Sequence, residues 1–191
     1  MIEQINSYIN RLKNALDNLD RKEIEQFALL LGRARDNGSN IFIMGNGGSA
    51  TTASHFCCDF NKVASYGYDH KKRFKFICLS DNIATVMSYS NDVCYEDIFV
   101  EQLKNFVQPQ DIVIGISSSG NSENVLRAIK YANENNITTI ALTGCDGGKL
   151  KQLVKHSVNA NIDDKQIAED IHLVLCHMLM QISCNQEPVE L

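Results

Sequence analysis

Histidine and carboxylate side chains recur on two segments whose apolar spacing predicts amphipathic helices. His55 and Asp59 are four residues apart, which places their Cβ atoms about 5–6 Å apart on one helix face. The last predicted helix carries Glu169, His172 and His177, with Glu169 and His177 about 12 Å apart along its axis. Two helices that each offer an imidazole and a carboxylate could build a zinc site or an acid–base pair. Spacing alone does not decide between this chemistry and ordinary core or surface histidines.

Loops rich in glycine and small polar residues follow four short apolar runs, at 45–49, 80–82, 117–122 and 143–148. The first and third open predicted helices, where backbone N–H groups and the helix dipole favour an anion. The third contains four hydroxyl groups, on Ser117, Ser118, Ser119 and Ser122. Such hydroxyls bind phosphate oxygens without a fixed positive charge, which favours a monophosphate ester over a nucleotide polyphosphate. Serine also commonly caps helices, but two such loops at strand-to-helix junctions favour phosphate binding.

Nucleotide and nucleic-acid binding are disfavoured by motif and by charge. The run 45–50 does not complete Gly-x-Gly-x-x-Gly, and Gly-x-x-x-x-Gly-Lys-Ser/Thr does not occur in the sequence. The formal net charge is −5, and we expect the basic run 70–75 to be a solvated loop that leads into a strand. We therefore expect a small phosphorylated ligand and no nucleic-acid partner.

The composition is typical of one soluble, cytoplasmic domain that spans residues 1–191. The seven cysteines are odd in number and have no Cys-x-x-Cys spacing, which indicates a reducing compartment. The first residues lack the basic and apolar regions of a signal peptide. No apolar stretch approaches 18 residues, so we expect no membrane span.

Short apolar runs that alternate with helical patterns predict a parallel sheet covered on both faces. The predicted strands are 41–44, 74–79, 111–116, 137–142 and a weaker 156–162. The predicted helices among them are 49–62, 83–90, 94–106, 122–135, 147–154 and 165–184. The fold class is therefore α/β, a doubly wound five-stranded parallel sheet within 39–185.

Two further amphipathic helices, at 3–18 and 21–37, precede the sheet and form a predicted N-terminal helical hairpin within residues 1–38. They stand outside the alternation of strands and helices. The hairpin could pack either on a neighbouring subunit or on its own domain.

The assembled motifs resemble the SIS-domain sugar isomerases, and within that family the phosphoheptose isomerases. The segments that carry the resemblance are Gly45-Asn-Gly-Gly-Ser49, His55-Phe56, Asn91-Asp92, Gly115-Ile-Ser-Ser-Ser-Gly-Asn-Ser122, Leu142-Thr-Gly-Cys-Asp-Gly-Gly-Lys149 and Glu169-Asp-Ile-His172 with His177. They extend over nearly the whole chain. The resemblance implies a flavodoxin-like SIS fold and a homotetramer, with active sites between subunits and the N-terminal helices in the core of the assembly.

The resemblance also implies an aldose–ketose isomerase that converts sedoheptulose 7-phosphate to D-glycero-D-manno-heptose 7-phosphate through an enediol. This reaction is the first step toward activated heptose for lipopolysaccharide or other surface glycans. By position, the substrate-binding residues would be Asn46, Gly47, Gly48, Ser49, Asn91, Asp92, Ser117, Ser118, Ser119, Ser122 and Glu169.

Members of this family bind one zinc ion per subunit through residues on the same two helices. A His and a Glu four residues apart follow the Gly-Asn-Gly-Gly-Ser segment, and a Gln and a His eight residues apart lie on the last helix. The matching residues here are His55, Asp59, Glu169 and His177, so Asp replaces the first Glu and Glu replaces the Gln of many members. The resemblance assigns acid–base catalysis to His177 and a carboxylate, and the shorter Asp59 leaves either Asp59 or Glu169 as the base.

Two other functions remain open from the sequence alone. Some SIS relatives are non-catalytic modules that bind a phosphosugar or, as tetramers, the bacterial replication initiator. Other SIS enzymes act on a different phosphosugar, such as an aminosugar phosphate. The imidazole–carboxylate set on the two helices favours an enzyme over a binding module.

Overall fold

The computed structural model describes residues 1–66 and 72–185, which contain a five-stranded parallel sheet. The strands are β1 (Ile41–Met44), β2 (Phe76–Cys78), β3 (Ile112–Ser117), β4 (Thr138–Thr143) and β5 (His156–Asn159). Their spatial order is β2-β1-β3-β4-β5, and each neighbouring pair is parallel. The chain adds β2 on one side of β1 and the later strands on the other. The topological switch point therefore lies between β1 and β3, where open α/β sheets bind ligands, and the predicted fold class is confirmed.

Helices cover both faces of this sheet. They are α1 (Ile2–Asp17), α2 (Arg21–Asn37), α3 (Gly48–Cys58), α4 (Ala64–Tyr66), α5 (Ile83–Asp92), α6 (Val100–Phe106), α7 (Glu123–Glu134), α8 (Gly148–Leu153) and α9 (Lys165–Asn185). A π-helical turn, Asp59–Val63, joins α3 to α4, and a 3₁₀ turn, Tyr95–Asp97, precedes α6.

The side chains of β1 explain why its sequence shows no polar alternation. Ile41 and Ile43 pack into the hydrophobic core that includes residues of α2, α3 and α9, whereas Phe42 and Met44 pack into the opposite core beside α6 and α7. All four side chains are fully buried. A strand buried on both faces reads as a continuous apolar run, which is how the sequence located this strand.

The edge strand β2 is shorter than the predicted 74–79, because it pairs with β1 only from Phe76 to Cys78, and a side chain occupies its outer edge. Asn61 donates from Nδ2 to the carbonyl of Phe76 at 2.9 Å and accepts the Phe76 N–H at Oδ1, also at 2.9 Å. The amide group thus replaces a neighbouring strand, and such blocking of an edge prevents pairing with other chains. Of the basic run that leads into β2, residues 70 and 71 lie outside the described residues, and Lys72 is exposed as expected.

The predicted helix 94–106 is instead a 3₁₀ turn followed by α6. Cys94 has an extended backbone, with φ −168° and ψ 159°. Asp97 accepts hydrogen bonds from Arg127 at 2.9 Å and from the Cys94 thiol at 3.2 Å. These side-chain bonds fix the turn against α7, which sequence periodicity could not show. The predicted fifth strand 156–162 is also shorter in the structure, because β5 pairs with β4 only from His156 to Asn159.

The N-terminal hairpin packs on its own chain through polar contacts with the last helix. The Tyr8 hydroxyl donates to Asp170 at 2.5 Å, and Arg11 forms an ion pair with Asp164 at 2.6 Å. The carboxylate of Asp170 raises the pKa of Tyr8 to about 12 through this hydrogen bond. Ile2 and Ile5 on the same helix remain largely exposed, so α1 contacts its own domain and also presents an apolar face.

One helix of the described residues is long and apolar enough to cross a membrane by length and composition, at Lys165–Cys184. It coincides with the last predicted helix, and one such helix is weak evidence for a membrane span. Half of that helix is buried inside the fold, as in the core helix of a soluble protein, which gives its apolar residues a packing role.

The loops that follow β3 and β4 touch through glycine, and this contact generates a prediction. Gly120 has φ +65°, and a Cβ there would lie 2.0 Å from the carbonyl oxygen of Gly147. Gly38 has a similar φ of +69°, but a Cβ there would meet only Lys75 Nζ at 3.6 Å.

Left-handed backbone costs about 1–2 kcal/mol for an L residue, so Gly38→Ala should lose about that much free energy of unfolding in urea titrations. Gly120→Ala should lose at least about 3 kcal/mol, since backbone must also move. Equal losses for the two variants would contradict the proposed contact.

Candidate functional site

An imidazole–carboxylate cluster forms where α3 and α9 pack side by side. His55 Nε2 lies 3.0 Å from His177 Nε2, and Asp59 Oδ2 lies 3.4 Å from the first nitrogen and 3.8 Å from the second. The two histidine side chains are 43 % and 46 % exposed, whereas that of Asp59 is 13 % exposed. The structure thus brings together three of the four predicted metal ligands, with both rings open to solvent.

The geometry of this cluster fits a small divalent cation. Two Nε2 atoms 3.0 Å apart cannot both carry a hydrogen along the line that joins them, so at least one presents a lone pair. Zinc bonds to histidine and carboxylate of about 2.0–2.2 Å imply separations of about 3.3–3.5 Å between tetrahedral ligand atoms. The observed separations of 3.0 to 3.8 Å span this range. Within the described residues these three side chains form the group that could hold a metal ion.

Asp59 reaches the cluster from the first position of the π-helical turn. The predicted helix 49–62 therefore ends as an α-helix at Cys58 and widens at the residue that bears the carboxylate. Such π-turns frequently occur at functional sites. Phe60, the next residue, is fully buried, so the turn anchors the core on one side and directs Asp59 toward the histidines on the other.

Glu169 lies apart from the three clustered side chains, against the start of α3. A Cβ at Gly48 would stand 2.1 Å from Glu169 Oε2, so the carboxylate could not keep this position beside a larger residue. Because Gly48 contacts Glu169 while His55 contacts His177, α3 and α9 run in the same direction. The carboxylate therefore lies at the Gly47–Gly48 loop, near the N-terminal end of α3 where the helix dipole favours negative charge.

His172 on α9 is a core residue and takes no part in the cluster. Its ring is fully buried, and Nε2 lies 3.1 Å from the carbonyl oxygen of Thr143. A carbonyl only accepts, so Nε2 carries the hydrogen and Nδ1 is the unprotonated nitrogen. Burial lowers the pKa of His172 to about 4. The imidazole is thus neutral at physiological pH and ties α9 to the end of β4.

The serine loop after β3 holds hydroxyl groups close together. Ser117 Oγ lies 3.0 Å from Ser122 Oγ and 3.4 Å from Ser119 Oγ. Ser118 Oγ is buried and has no hydrogen-bond partner among the described residues. Ser122 occupies the N-cap position of α7, yet its side chain makes no capping hydrogen bond. The hydroxyls are therefore not used up by helix capping, which was the alternative explanation of this sequence.

The backbone of the same loop is fixed by the loop after β4. Gly144 N–H donates to the Ser118 carbonyl at 3.0 Å, and Leu150 N–H donates to the Gly120 carbonyl at 2.9 Å. Asn121 Nδ2 donates to the Ser119 carbonyl at 2.8 Å. The hydroxyl cluster is thus held on a rigid backbone at the carboxyl ends of two central strands.

The glycine loop after β1 lies beside the serine loop through an amide contact. Asn46 and Asn124 exchange two hydrogen bonds, from Asn46 Nδ2 to Asn124 Oδ1 at 2.9 Å and from Asn124 Nδ2 to Asn46 Oδ1 at 3.0 Å. Gly47 is exposed, whereas Ser49 is buried and its N–H donates to the Asn46 carbonyl at 3.0 Å.

The predicted pair Asn91 and Asp92 stands at the exposed C-terminal end of α5. Asn91 Nδ2 donates to Asp92 Oδ1 at 2.7 Å, and Ser88 Oγ donates to Asp92 Oδ2 at 3.4 Å. The structure places this pair next to the 3₁₀ turn that begins at Tyr95, and its substrate role stays a prediction.

Sequence reasoning missed two side chains of the site, Asn124 and Tyr95. Asn124 is 2 % exposed and binds Asn46, and the Tyr95 hydroxyl donates to Asn46 Oδ1 at 2.8 Å. An amide at the second position of α7, directly behind the serine loop, was the available signal for Asn124. Nothing local marks Tyr95, which is 49 residues from its partner.

The chain is similar to known proteins over most of its length. The SIS-domain family profile matches residues 5–144, and the chain belongs to the SIS-domain family. It is 35 % identical over 187 residues to the phosphoheptose isomerase of Alteromonas mediterranea, covering 95 % of this chain and 93 % of the relative. It is 34 % identical over 168 residues to that of Helicobacter pylori strain P12, covering 88 % and 85 %. Within the SIS-domain proteins it is a member of the phosphoheptose isomerases.

Solved structures agree with this assignment. The phosphoheptose isomerase of Neisseria gonorrhoeae superposes with a TM-score of 0.85 at 27 % identity, covering 95 % of each chain. That of Francisella tularensis gives 0.86 at 26 % identity, covering 97 % of this chain and 98 % of the other. The similarity thus extends over nearly the whole chain, as the sequence motifs implied.

Burial of His172 predicts how stability depends on pH. Its pKa is about 4 in the folded protein and about 6.5 in the unfolded chain. A depressed histidine pKa gives stability that is complete above pH 6.5 and falls as pH decreases toward 4, because the unfolded chain binds the proton first. From pH 7 to pH 5 this single group should cost about 2 kcal/mol of unfolding free energy. His172→Gln should remove that component in urea titrations at both pH values, and curves that stay parallel to those of the unchanged protein would refute the assignment.

Proposed function

We propose that this protein isomerises sedoheptulose 7-phosphate to D-glycero-D-manno-heptose 7-phosphate through an enediol. The observation that carries the proposal is the convergence of His55, Asp59 and His177, with separations of 3.0 to 3.8 Å, in a phosphoheptose isomerase that also has a serine loop free of capping bonds. A non-catalytic SIS module would not require this cluster.

The serine loop supports binding of the phosphate group. Ser117 Oγ lies within 3.4 Å of the hydroxyls of both Ser119 and Ser122, and the first-turn N–H groups of α7 are close in sequence. Neutral donors with a helix dipole suit a monophosphate ester. The binding energy of this remote group positions the reacting carbons, which is where anchoring a substrate accelerates its reaction.

His55, Asp59 and His177 would hold a zinc ion, which as a Lewis acid would polarise the sugar carbonyl and the neighbouring hydroxyl. His177 would also be the acid that moves a proton between the two substrate oxygens. We assign the base to Asp59, because its carboxylate lies beside the two imidazoles whereas that of Glu169 lies at Gly48. A base must lie within hydrogen-bond reach of its proton.

Glu169 has a different proposed task in the same site. Its carboxylate lies at Gly48, on the glycine loop that the family resemblance assigns to the sugar. A carboxylate accepts hydrogen bonds from two hydroxyl groups at once. Glu169 would therefore hold sugar hydroxyls and would not complete the metal site, unlike the Gln that the family resemblance places at this position.

The assembly and cellular setting are part of the proposal. We place the protein in the cytoplasm, in agreement with all seven cysteines being free thiols. We infer a homotetramer built on the exposed apolar side chains of α1, with Ile2 and Ile5 at 74 % and 51 % exposure, and on Val174 and Met178 of α9. Its product would enter activated-heptose synthesis for lipopolysaccharide or other surface glycans.

Turnover of sedoheptulose 7-phosphate tests the proposal directly. The protein with added zinc should convert it, a chelator should abolish conversion, and restored zinc should return it. His177→Ala should reduce kcat by at least about 10³-fold, since it loses both a metal ligand and the acid, while the substrate still binds in calorimetry. His156→Ala, which changes a histidine of β5, is the matched control and should keep full activity. An active His177→Ala protein would remove that residue from catalysis.

A pair of amide substitutions separates the two carboxylates. Asp59→Asn should lose turnover to the limit of detection, because the base is gone and the metal site is weakened. Glu169→Gln should keep at least a tenth of kcat, with a change mainly in KM, since the amide still contacts sugar hydroxyls. Zinc content, measured by atomic absorption, should fall only in the first variant. The reverse pattern would make Glu169 the base and Asp59 dispensable.

A further inference from the structure

Three side chains from separate parts of the chain form a hydrogen-bonded network beside the glycine loop. Asn46 and Asn124 pair through two amide hydrogen bonds of 2.9 and 3.0 Å, and the Tyr95 hydroxyl donates to Asn46 Oδ1 at 2.8 Å. Asn124 is 2 % exposed, whereas Tyr95 is 50 % exposed. The buried member of the network is thus fixed, and the exposed member faces the region open to ligand.

A backbone group determines the orientation of both amides. Val125 is in the first turn of α7, where N–H groups have no partner within the helix. Its N–H donates to Asn124 at 2.9 Å, and because an N–H can only donate, the atom that accepts must be Oδ1. Asn124 therefore turns its Nδ2 toward Asn46, and Asn46 must receive it with Oδ1. One peptide N–H therefore determines which atoms donate and which accept throughout the network.

The hydrogen-bonding capacity of Asn46 is then nearly exhausted. Its Oδ1 accepts from Asn124 and from Tyr95, which uses both lone pairs. One hydrogen of its Nδ2 goes to Asn124, so one N–H donor remains. The Tyr95 hydroxyl donates its only hydrogen to Asn46, so its oxygen can only accept a further hydrogen bond. Together the two side chains offer one donor and one acceptor, which matches a hydroxyl group that accepts one bond and donates another.

These two side chains line a common cavity. It has a volume of about 170 Å³ and is also lined by Gly45, Gly47 and Ser80, outside the carboxyl ends of β1 and β2. A hydrogen bond joins the loops that follow these two strands, since Ser80 Oγ donates to the Gly45 carbonyl at 2.8 Å. The cavity walls are therefore rigid, and its polar groups are few and oriented.

We infer that Tyr95 is a positioning residue for the sugar part of the substrate, acting by locking the Asn46 amide in the orientation that Asn124 and Val125 set. This inference rests on the proposed function, since it names how a polyhydroxylated chain is recognised in that site. Without the Tyr95 hydroxyl, Asn46 Oδ1 regains a free lone pair and the amide loses one of its three restraints. The site then presents both a donor and an acceptor on the Asn46 amide, held only by its two bonds to Asn124, and this pair no longer selects a single hydroxyl orientation.

A double-mutant cycle tests this inference. The proteins are the unchanged chain, Tyr95→Phe, Asn46→Ala and the combination of both. The measurements are the Kd of sedoheptulose 7-phosphate by calorimetry and kcat/KM with added zinc. Tyr95→Phe alone should weaken sugar affinity and kcat/KM about fivefold, the size of one neutral hydrogen bond. In the Asn46→Ala background the same substitution should change them less than twofold, because the group through which Tyr95 acts is missing.

Two controls distinguish positioning from a structural effect. Tyr95→Phe should leave the Kd of inorganic phosphate unchanged, because that ion binds at the serine loop, and the protein should remain cooperatively folded in urea titrations. Tyr89→Phe removes a comparable hydroxyl, which accepts from Asn105 at 3.4 Å away from this network, and should change nothing. Equal losses from Tyr95→Phe in both backgrounds, or no loss in the single variant, would overturn the inference alone. Failure of the unchanged protein to bind sedoheptulose 7-phosphate would overturn the proposed function and the inference with it.

Discussion

The parallel packing of α3 on α9 is the contact on which the candidate active site depends. Gly48 meets Glu169 at the start of the contact and His55 meets His177 further along it, so the two helices are aligned residue by residue. A side chain at Gly48 would displace the Glu169 carboxylate from the start of α3, since its Cβ would stand 2.1 Å from Oε2. Phe56 and other buried residues of both helices share one hydrophobic core. The imidazole–carboxylate cluster is therefore a product of tertiary packing, and neither helix contains it alone.

The two ends of the site are built by different means, and this suits a substrate with a fixed anchor and a reacting end. The phosphate end is a backbone structure, in which hydrogen bonds between the β3 and β4 loops hold the serine hydroxyls in place. The reacting end consists of side chains on helices, with two half-exposed imidazoles that a ligand can reach. Rigid anchoring supplies orientation, and accessible titratable groups supply chemistry. Asn46 lies on the loop between them.

Local patterns in the sequence predicted most of the fold and the part of the site that depends on short spacing. β1 was located to the residue because four consecutive buried side chains leave a continuous apolar run, and His55 with Asp59 followed from a spacing of four. The position of Glu169 could not be predicted, since its contact with Gly48 depends on how two helices align. The bonds of Asn46 to Tyr95 and Asn124 join residues 49 and 78 positions apart, and no periodicity encodes such distances. The hydrogen bonds of Asn61 to the outer edge of β2 could not be predicted for the same reason.

The first turn of α7 shows how stability and function are divided among neighbouring residues. A serine at the N-cap would ordinarily stabilise its helix by about 1 kcal/mol, yet Ser122 leaves the first-turn N–H groups uncapped and keeps its hydroxyl beside Ser117. Asn124 satisfies one of these groups, the N–H of Val125, and with the same amide it orients Asn46. The helix start therefore departs from the ordinary capping rule where a ligand is expected, and a buried amide two residues later provides part of the missing stabilisation. Departures of this kind are expected at functional sites. Here the Asn124 amide both accepts the uncapped Val125 N–H and binds Asn46 on the proposed sugar-binding loop.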